Sequence, residues 1–166
     1  NPFFRSFKNE FHWNHFRYFR DLVLLMAFAW DRHTVSNLHR HLDAPTHRTR
    51  LNNFLHTGRF DEAALLRRKA YEQLAALNLK PGSTVYLILD DSKKAKRGRH
   101  MDAVGKLHGD GKALTGHLYM TAVIRAGEVT IPFAIQLYAK QEDCPALDLE
   151  FLKTTEMAAD MIRAFN

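Results

Sequence analysis

The chain has 166 residues, 46% of them hydrophobic, enough to bury the core of one domain or of one small domain plus part of another. Its one cysteine, Cys144, excludes an internal disulfide and a cysteine-rich zinc module. The net charge of +6 is uneven: residues 1–139 hold 21 basic and 12 acidic residues, a net of +9, while residues 140–166 hold 3 and 6, a net of −3, so the basic part favours nucleic acid or another polyanion.

The chain opens on Asn rather than Met, which reads as a processed or excised piece. In "NPFFRSFKNEFHWNHFRYFR", residues 1–20, aromatic residues interleave with basic and polar ones, with no small-residue cleavage site of a secretory signal. Bases stacking on such rings is one reading; core packing is the plainer one. The longest apolar run, Leu22 to Trp30, is bracketed by Asp21 and Asp31 and falls far short of the ~20 residues of a spanning helix. A helix over Tyr18 to Trp30 with Leu22, Leu25, Met26 and Ala29 buried is expected, and no membrane partner.

Thr34 to Leu42 follows as a helix with Val35, Leu38 and Leu42 on one side, broken by Asp43, Ala44 and Pro45. Thr46 is the expected N-cap of the next helix, with Leu51, Phe54 and Leu55 inward and Gly58 at its end. Two short helices joined by a tight turn resemble a helix-turn-helix, in which Arg48 and Arg50 are placed to touch phosphates or base edges; many such pairs merely pack. A third helix, Asp61 to Leu77, carries Leu66, Ala70, Leu74 and Leu77 on one stripe. "LKPGST", residues 79–84, marks a boundary between a helical region over residues 1–80 and a second region over 81–166.

Strands are expected over Thr84 to Leu89, Gly116 to Arg125 and Val129 to Tyr138, the last two forming a hairpin through "AGE". "GKLHGDGKALTG", residues 105–116, reads as a Gly- and Lys-rich loop; its "GDGK" lacks the spacing and Ser/Thr of a phosphate-binding P-loop. Leu147 to Phe165 closes the chain as a helix with Leu149, Leu152, Glu156, Ala159 and Ile162 along it. The fold class is α/β, α+β overall.

"VYLILDDSKKAKRGRH", residues 85–100, runs an apolar strand into two carboxylates and then a basic arm. A strand apolar on both faces is expected to be central and covered on both sides, with its carboxylates emerging at the rim of the sheet. Adjacent acids point to opposite faces, so one of them can join any single site. An Asp beside a phosphate backbone needs an intervening cation, and Mg²⁺ takes carboxylate and phosphate oxygens together. The bland alternative is a polar strand end followed by a solvated loop.

"LILDDSKKAKRGRHMDAVGKLH", "TGHLYMTAVI" and "IPFAIQLY" resemble the start of the catalytic domain of DDE transposases of the IS4 and IS701 type, cut-and-paste enzymes with a ribonuclease H-like fold. The resemblance covers residues 84–139, and more loosely "HRTRLNNFLHTGRFDEAALLRR", which is similar to the helical DNA-binding segment of those proteins. It implies the first strands and helix of a ribonuclease H-like domain over 81–166, apparently incomplete. Asp90 would be the first catalytic and metal-binding aspartate, with Asp91 the alternative metal ligand if the register shifts by one, and Ser92 would match the family's Ser/Thr.

The resemblance further implies Mg²⁺ or Mn²⁺ as cofactor and double-stranded DNA at transposon ends as partner. Lys93, Lys94, Lys96, Arg97 and Arg99, with Arg48 and Arg50, would contact that DNA, a homodimer would form in the DNA complex, and the location would be the cytoplasm at the nucleoid. The family's second Asp and its Glu have no counterpart in strand-end context here, so the 166-residue piece is expected to be inactive by itself. A non-catalytic transposase-derived repressor or inhibitor is the alternative.

Ten histidines invite a metal reading. His39 and His41 lie about 200° apart on a helix, and no cysteine completes a zinc set. Without a Gly-x-Ser-x-Gly elbow, Ser92 gives no hydrolase signal.

Overall fold

The computed structural model describes residues 2–31, 33–42, 47–58, 60–96, 101–109 and 112–166. They form two compact units, Asn1–Glu62 and Ala63–Asn166, in a mixed α+β order with helices first and strands later.

In the first unit a short helix α1 (Pro2–Arg5) and a turn of 3₁₀ helix (Lys8–Glu10) precede α2 (Trp13–Phe28), α3 (Val35–Arg40) and α4 (Arg48–Thr57). The interleaved aromatic residues make its core, because Phe4, Phe7 and Phe11 are buried. Phe19 stacks on Phe11 at 4.7 Å, and Phe54 stacks on Phe60 at 5.2 Å. Offset and edge contacts of this kind add to the area buried by each ring.

The buried side of α2 is centred on the middle of the helix. Tyr18, Asp21 and Leu22 are buried, whereas Met26 of the expected stripe is exposed. Thr34 caps α3 by accepting the Asn37 N–H, which satisfies one of the orphan donors of the first turn. His47 caps α4, its Nδ1 accepting the Thr49 N–H; the expected cap Thr46 lies outside the described residues, as do Asp43, Ala44 and Pro45. Leu51 and Phe54 face inward as expected, and Leu55 is exposed. Seven residues separate α3 from α4, and the turn expected between them lies largely outside the described residues.

The second unit begins with α5 (Glu62–Ala76), then β1 (Val85–Ala95), β2 (Gly105–Gly109), β3 (Lys112–Ala126) and β4 (Val129–Leu137), and ends with α6 (Cys144–Leu147) and α7 (Thr154–Phe165). This compact unit includes α5 from Ala63 onward, and Ala70, Leu74 and Leu77 of α5 pack on the sheet.

All pairings are antiparallel, and β3 is the hub. It pairs with β1 along 116–126, with β2 along 112–116 and with β4 along 119–126. Gly116 is thus paired on both sides, to Ala95 and to Gly105. A Cβ there would lie 2.2 Å from the Lys94 carbonyl oxygen, so the close strand approach requires glycine. The β3–β4 hairpin turns through Gly127 and Glu128 as expected, with Gly127 at φ +59°. Pro132 is tolerated because β4 is an edge strand, paired only with β3 among the described residues.

One sheet face is covered. Met120, Ala122, Ile124, Ile131 and Phe133 pack against Ala70 of α5 and Met157 and Met161 of α7. The Tyr71 hydroxyl donates to the carbonyls of Ala164 and Phe165, satisfying groups that the end of α7 leaves without helical partners.

Three expectations change here. The helix expected from Leu147 begins only at Thr154, the backbone before it turning at Asp148 with left-handed φ +52° after the short α6; Met157 and Met161 are the buried residues of α7, while Leu149 and Ile162 are exposed. Residues 105–109 of the expected loop are strand β2. The apolar strand β1 is covered on one face only, since Tyr86 is 60% and Ile88 44% exposed, and it is an edge rather than a central strand among the described residues.

Candidate functional site

β1 runs six residues beyond its expected end at Leu89, so Asp90 and Asp91 sit in mid-strand and not at the rim of the sheet. The cause is pairing: every residue from Val85 to Ala95 has a partner on β3, and the ladder overrides the low strand propensity of Asp and Lys.

Strand alternation then sorts the side chains. Val85, Leu87 and Leu89 point to the face covered by α5 and α7, and Asp91 and Lys93 continue that row; Tyr86, Ile88, Asp90, Ser92 and Lys94 belong to the opposite face. The two carboxylates diverge, as their adjacency requires.

Asp90 is exposed and stands opposite Thr121, whose hydroxyl donates to the Asp90 carbonyl at 3.0 Å. Its Oδ1 accepts the Asp91 N–H at 2.9 Å. No cationic side chain is paired with it among the described residues. Asp91 instead faces Lys93, with Oδ2 3.4 Å from the ammonium nitrogen. An acid already matched to an ammonium has less need of a metal, and the unmatched one has more.

Beyond Asp90 on the same face, Ser92 stands opposite Tyr119 and Lys94 opposite His117. His117 is buried, its Nε2 2.8 Å from the Asp102 carbonyl and its Nδ1 3.0 Å from the Tyr119 hydroxyl. A carbonyl only accepts, so Nε2 donates to it and, in the neutral ring, Nδ1 accepts from the tyrosine. This pair was not among the candidates from sequence; the period of two in "GHLY" is the signal that places both rings on one face.

The basic residues are not one arm. Lys93 and Lys94 lie in β1 on opposite faces, and the Lys96 N–H donates to the Thr115 carbonyl where the strand ends. Arg97 and Arg99 lie outside the described residues. In the other unit, Arg48 and Arg50 are exposed in the first turn of α4, and Arg48 donates to the Ser36 hydroxyl of α3 at 3.3 Å.

A hard divalent cation is held by several oxygen ligands. Among the described residues no three His, Cys, Asp or Glu side chains gather closely enough to hold a metal. Asp90 fits as a single carboxylate ligand that needs oxygens from elsewhere, such as substrate phosphates. His12 and His15 have rings 6.3 Å apart, edge to face, and His15 packs on Phe54. Among the described residues no helix is long and apolar enough to cross a membrane.

A family model described as DDE superfamily endonuclease matches residues 2–160. No curated protein and no solved structure matches the chain.

Proposed function

The chain belongs to the DDE superfamily endonucleases, and from that premise we propose that it serves DNA transposition, binding double-stranded DNA at transposon ends and contributing Asp90 to phosphodiester cleavage and strand transfer. The observation that carries the reading is Asp90 itself. It is an exposed acid in a lysine-rich stretch of strand, and no cation is paired with it among the described residues.

A Mg²⁺ or Mn²⁺ ion bound there would polarise the phosphate and lower the pKa of a water. The chain's own part is to bind and orient. Asp90 supplies one oxygen ligand on the face opposite α5 and α7, and Lys94 farther along the strand and Lys96 just past its end supply positive charge. Arg48 and Arg50 on α4 add phosphate contacts from the first unit. The later acids of the family have no assigned position in this chain, so the proposed activity belongs to the assembled enzyme.

A non-catalytic DNA-binding protein derived from such an enzyme is the second reading. The bond from the Asp91 N–H to Asp90 Oδ1 favours it, since it gives Asp90 a structural use without chemistry. The two are separated by Asp90→Ala in the intact protein, assayed for Mg²⁺-dependent nicking and for binding to terminal-repeat DNA. Nicking lost with binding nearly intact is the expected result; nicking retained would remove Asp90 from the active site.

A further inference from the structure

On the α5 and α7 side of the sheet, β2, the ends of β1 and β3 and the start of α7 enclose a cleft of about 600 Å³. Four lysines line it, and each comes from a different segment: Lys93 from β1, Lys106 from β2, Lys140 from the chain after β4, and Lys153 from the residue before α7. Not one lining residue is an Asp or Glu. That is notable for Lys140 and Lys153, because both come from the acidic last 27 residues of the chain.

Two of the ammonium groups have carboxylate partners outside the lining, Lys93 with Asp91 at 3.4 Å and Lys140 with Glu142 at 3.2 Å. Lys106 and Lys153 have no ion-pair partner among the described residues. By the register Lys106, opposite Thr115, belongs to the same face as Asp90, which leaves Lys93, Lys140 and Lys153 as the like charges that raise the positive potential of this concave, partly apolar space and focus it on an anion. Gly105 and Gly116, paired across β2 and β3, leave room between the lysines; a Cβ on Gly105 would come 3.4 Å from Lys140 Cε.

We propose that this lysine-lined cleft is a second nucleic-acid contact, holding phosphates of the DNA backbone away from the cleavage site. Its place follows from strand alternation. Lys93 enters the cleft from the covered face of β1, whereas Asp90 lies on the opposite face. The cleft therefore grips a flanking stretch of DNA rather than the scissile phosphate. The inference rests on the DNA-binding reading and extends it to a surface formed by the sheet and α7.

The test is the double variant Lys140→Gln/Lys153→Gln in the full chain, with thermal melting to verify that the fold is kept. Both substitutions leave the backbone bonds of those residues in place, including the Lys153 N–H to Glu156 bond. Affinity for labelled duplex DNA is measured across a salt series, and binding of inorganic pyrophosphate is measured in parallel. Each lost phosphate contact lowers the slope of log affinity against log salt by ~0.9, so the variant slope is expected to be shallower by about 1.8.

Equal slopes for variant and wild type would overturn the cleft while leaving the DNA-binding reading intact. Wild-type protein that ignores DNA but binds pyrophosphate through these lysines would keep the cleft as a phosphate site and overturn DNA as its ligand. Binding of neither would overturn both.

Discussion

Asp90 and Asp91 are adjacent in the chain and opposed in space, and the account depends on the difference. Asp91 is matched to Lys93; Asp90 meets a backbone N–H and no ammonium among the described residues. Asp91→Asn is therefore expected to leave nicking by the intact protein within severalfold of wild type, an exposed ion pair contributing ~1 kcal/mol or less. If Asp91→Asn abolished nicking and Asp90→Asn did not, the metal ligand would belong on the face shared with Lys93. The divergence of the two acids was legible in sequence, because strand alternation needs only their adjacency. Their mid-strand position was not, since it comes from pairing with a strand 31 residues away at Thr121.

Titration adds one residue-scale expectation. The Asn37 side chain, and after it His41, hold the exposed Asp31 carboxyl below its usual range. A depressed folded value means that the contribution is present above the unfolded pKa and lost as pH falls through the folded one. Asp31→Asn should therefore lower the melting temperature slightly at neutral pH and leave it nearly unchanged at acid pH, flattening the acid-side dependence. A steeper acid loss in the variant would contradict it.

At the level of elements, patterns set by local chemistry were readable and those set by distant partners were not. The Gly127 turn announced the β3–β4 hairpin, and Thr34 announced the start of α3. The Gly and Lys of β2 are poor strand formers and give a loop-like sequence, and only its ladder to β3 makes it a strand. Apolar spacing continues through residues 147–153 and extends the helical pattern past the observed start of α7 at Thr154, while the backbone turns at Asp148.

β3 and α4 carry the expectations at this scale. Gly116→Ala forces a Cβ against the Lys94 carbonyl and should separate β1 from β3, lowering stability in urea unfolding. Phe133→Ala, at 0% exposure between the sheet and its helices, should cost about 3–5 kcal/mol in the same measurement. A change below 1 kcal/mol would mean that the site collapses around the lost ring. Arg48→Ala/Arg50→Ala should weaken duplex binding and make its salt slope shallower by about 1.8 if both touch phosphates; an unchanged slope would leave α4 a packing helix.

For the whole molecule, the basic charge pointed to a polyanion, and the family match over residues 2–160 agrees with the transposase-like motifs around Asp90. The expected boundary at residue 80 followed the Pro-Gly turn. The compact units divide between Glu62 and Ala63, in the first turn of α5, since a turn marks a change of element and packing marks a change of core. The aromatic N-terminus illustrates the same limit: interleaved rings and cations fit stacking on bases or packing in a core, and burial of Phe4, Phe7 and Phe11 decides for packing.

DNA held by its phosphates is the proposal on which the others rest. The most direct measurement is affinity for labelled duplex DNA across a salt series with Mg²⁺ present. With Arg48, Arg50 and the lysines of β1 engaged, the slope of log affinity against log salt should be about −4 or steeper. No binding at low salt would contradict the claim and reduce the basic residues to a solvated surface.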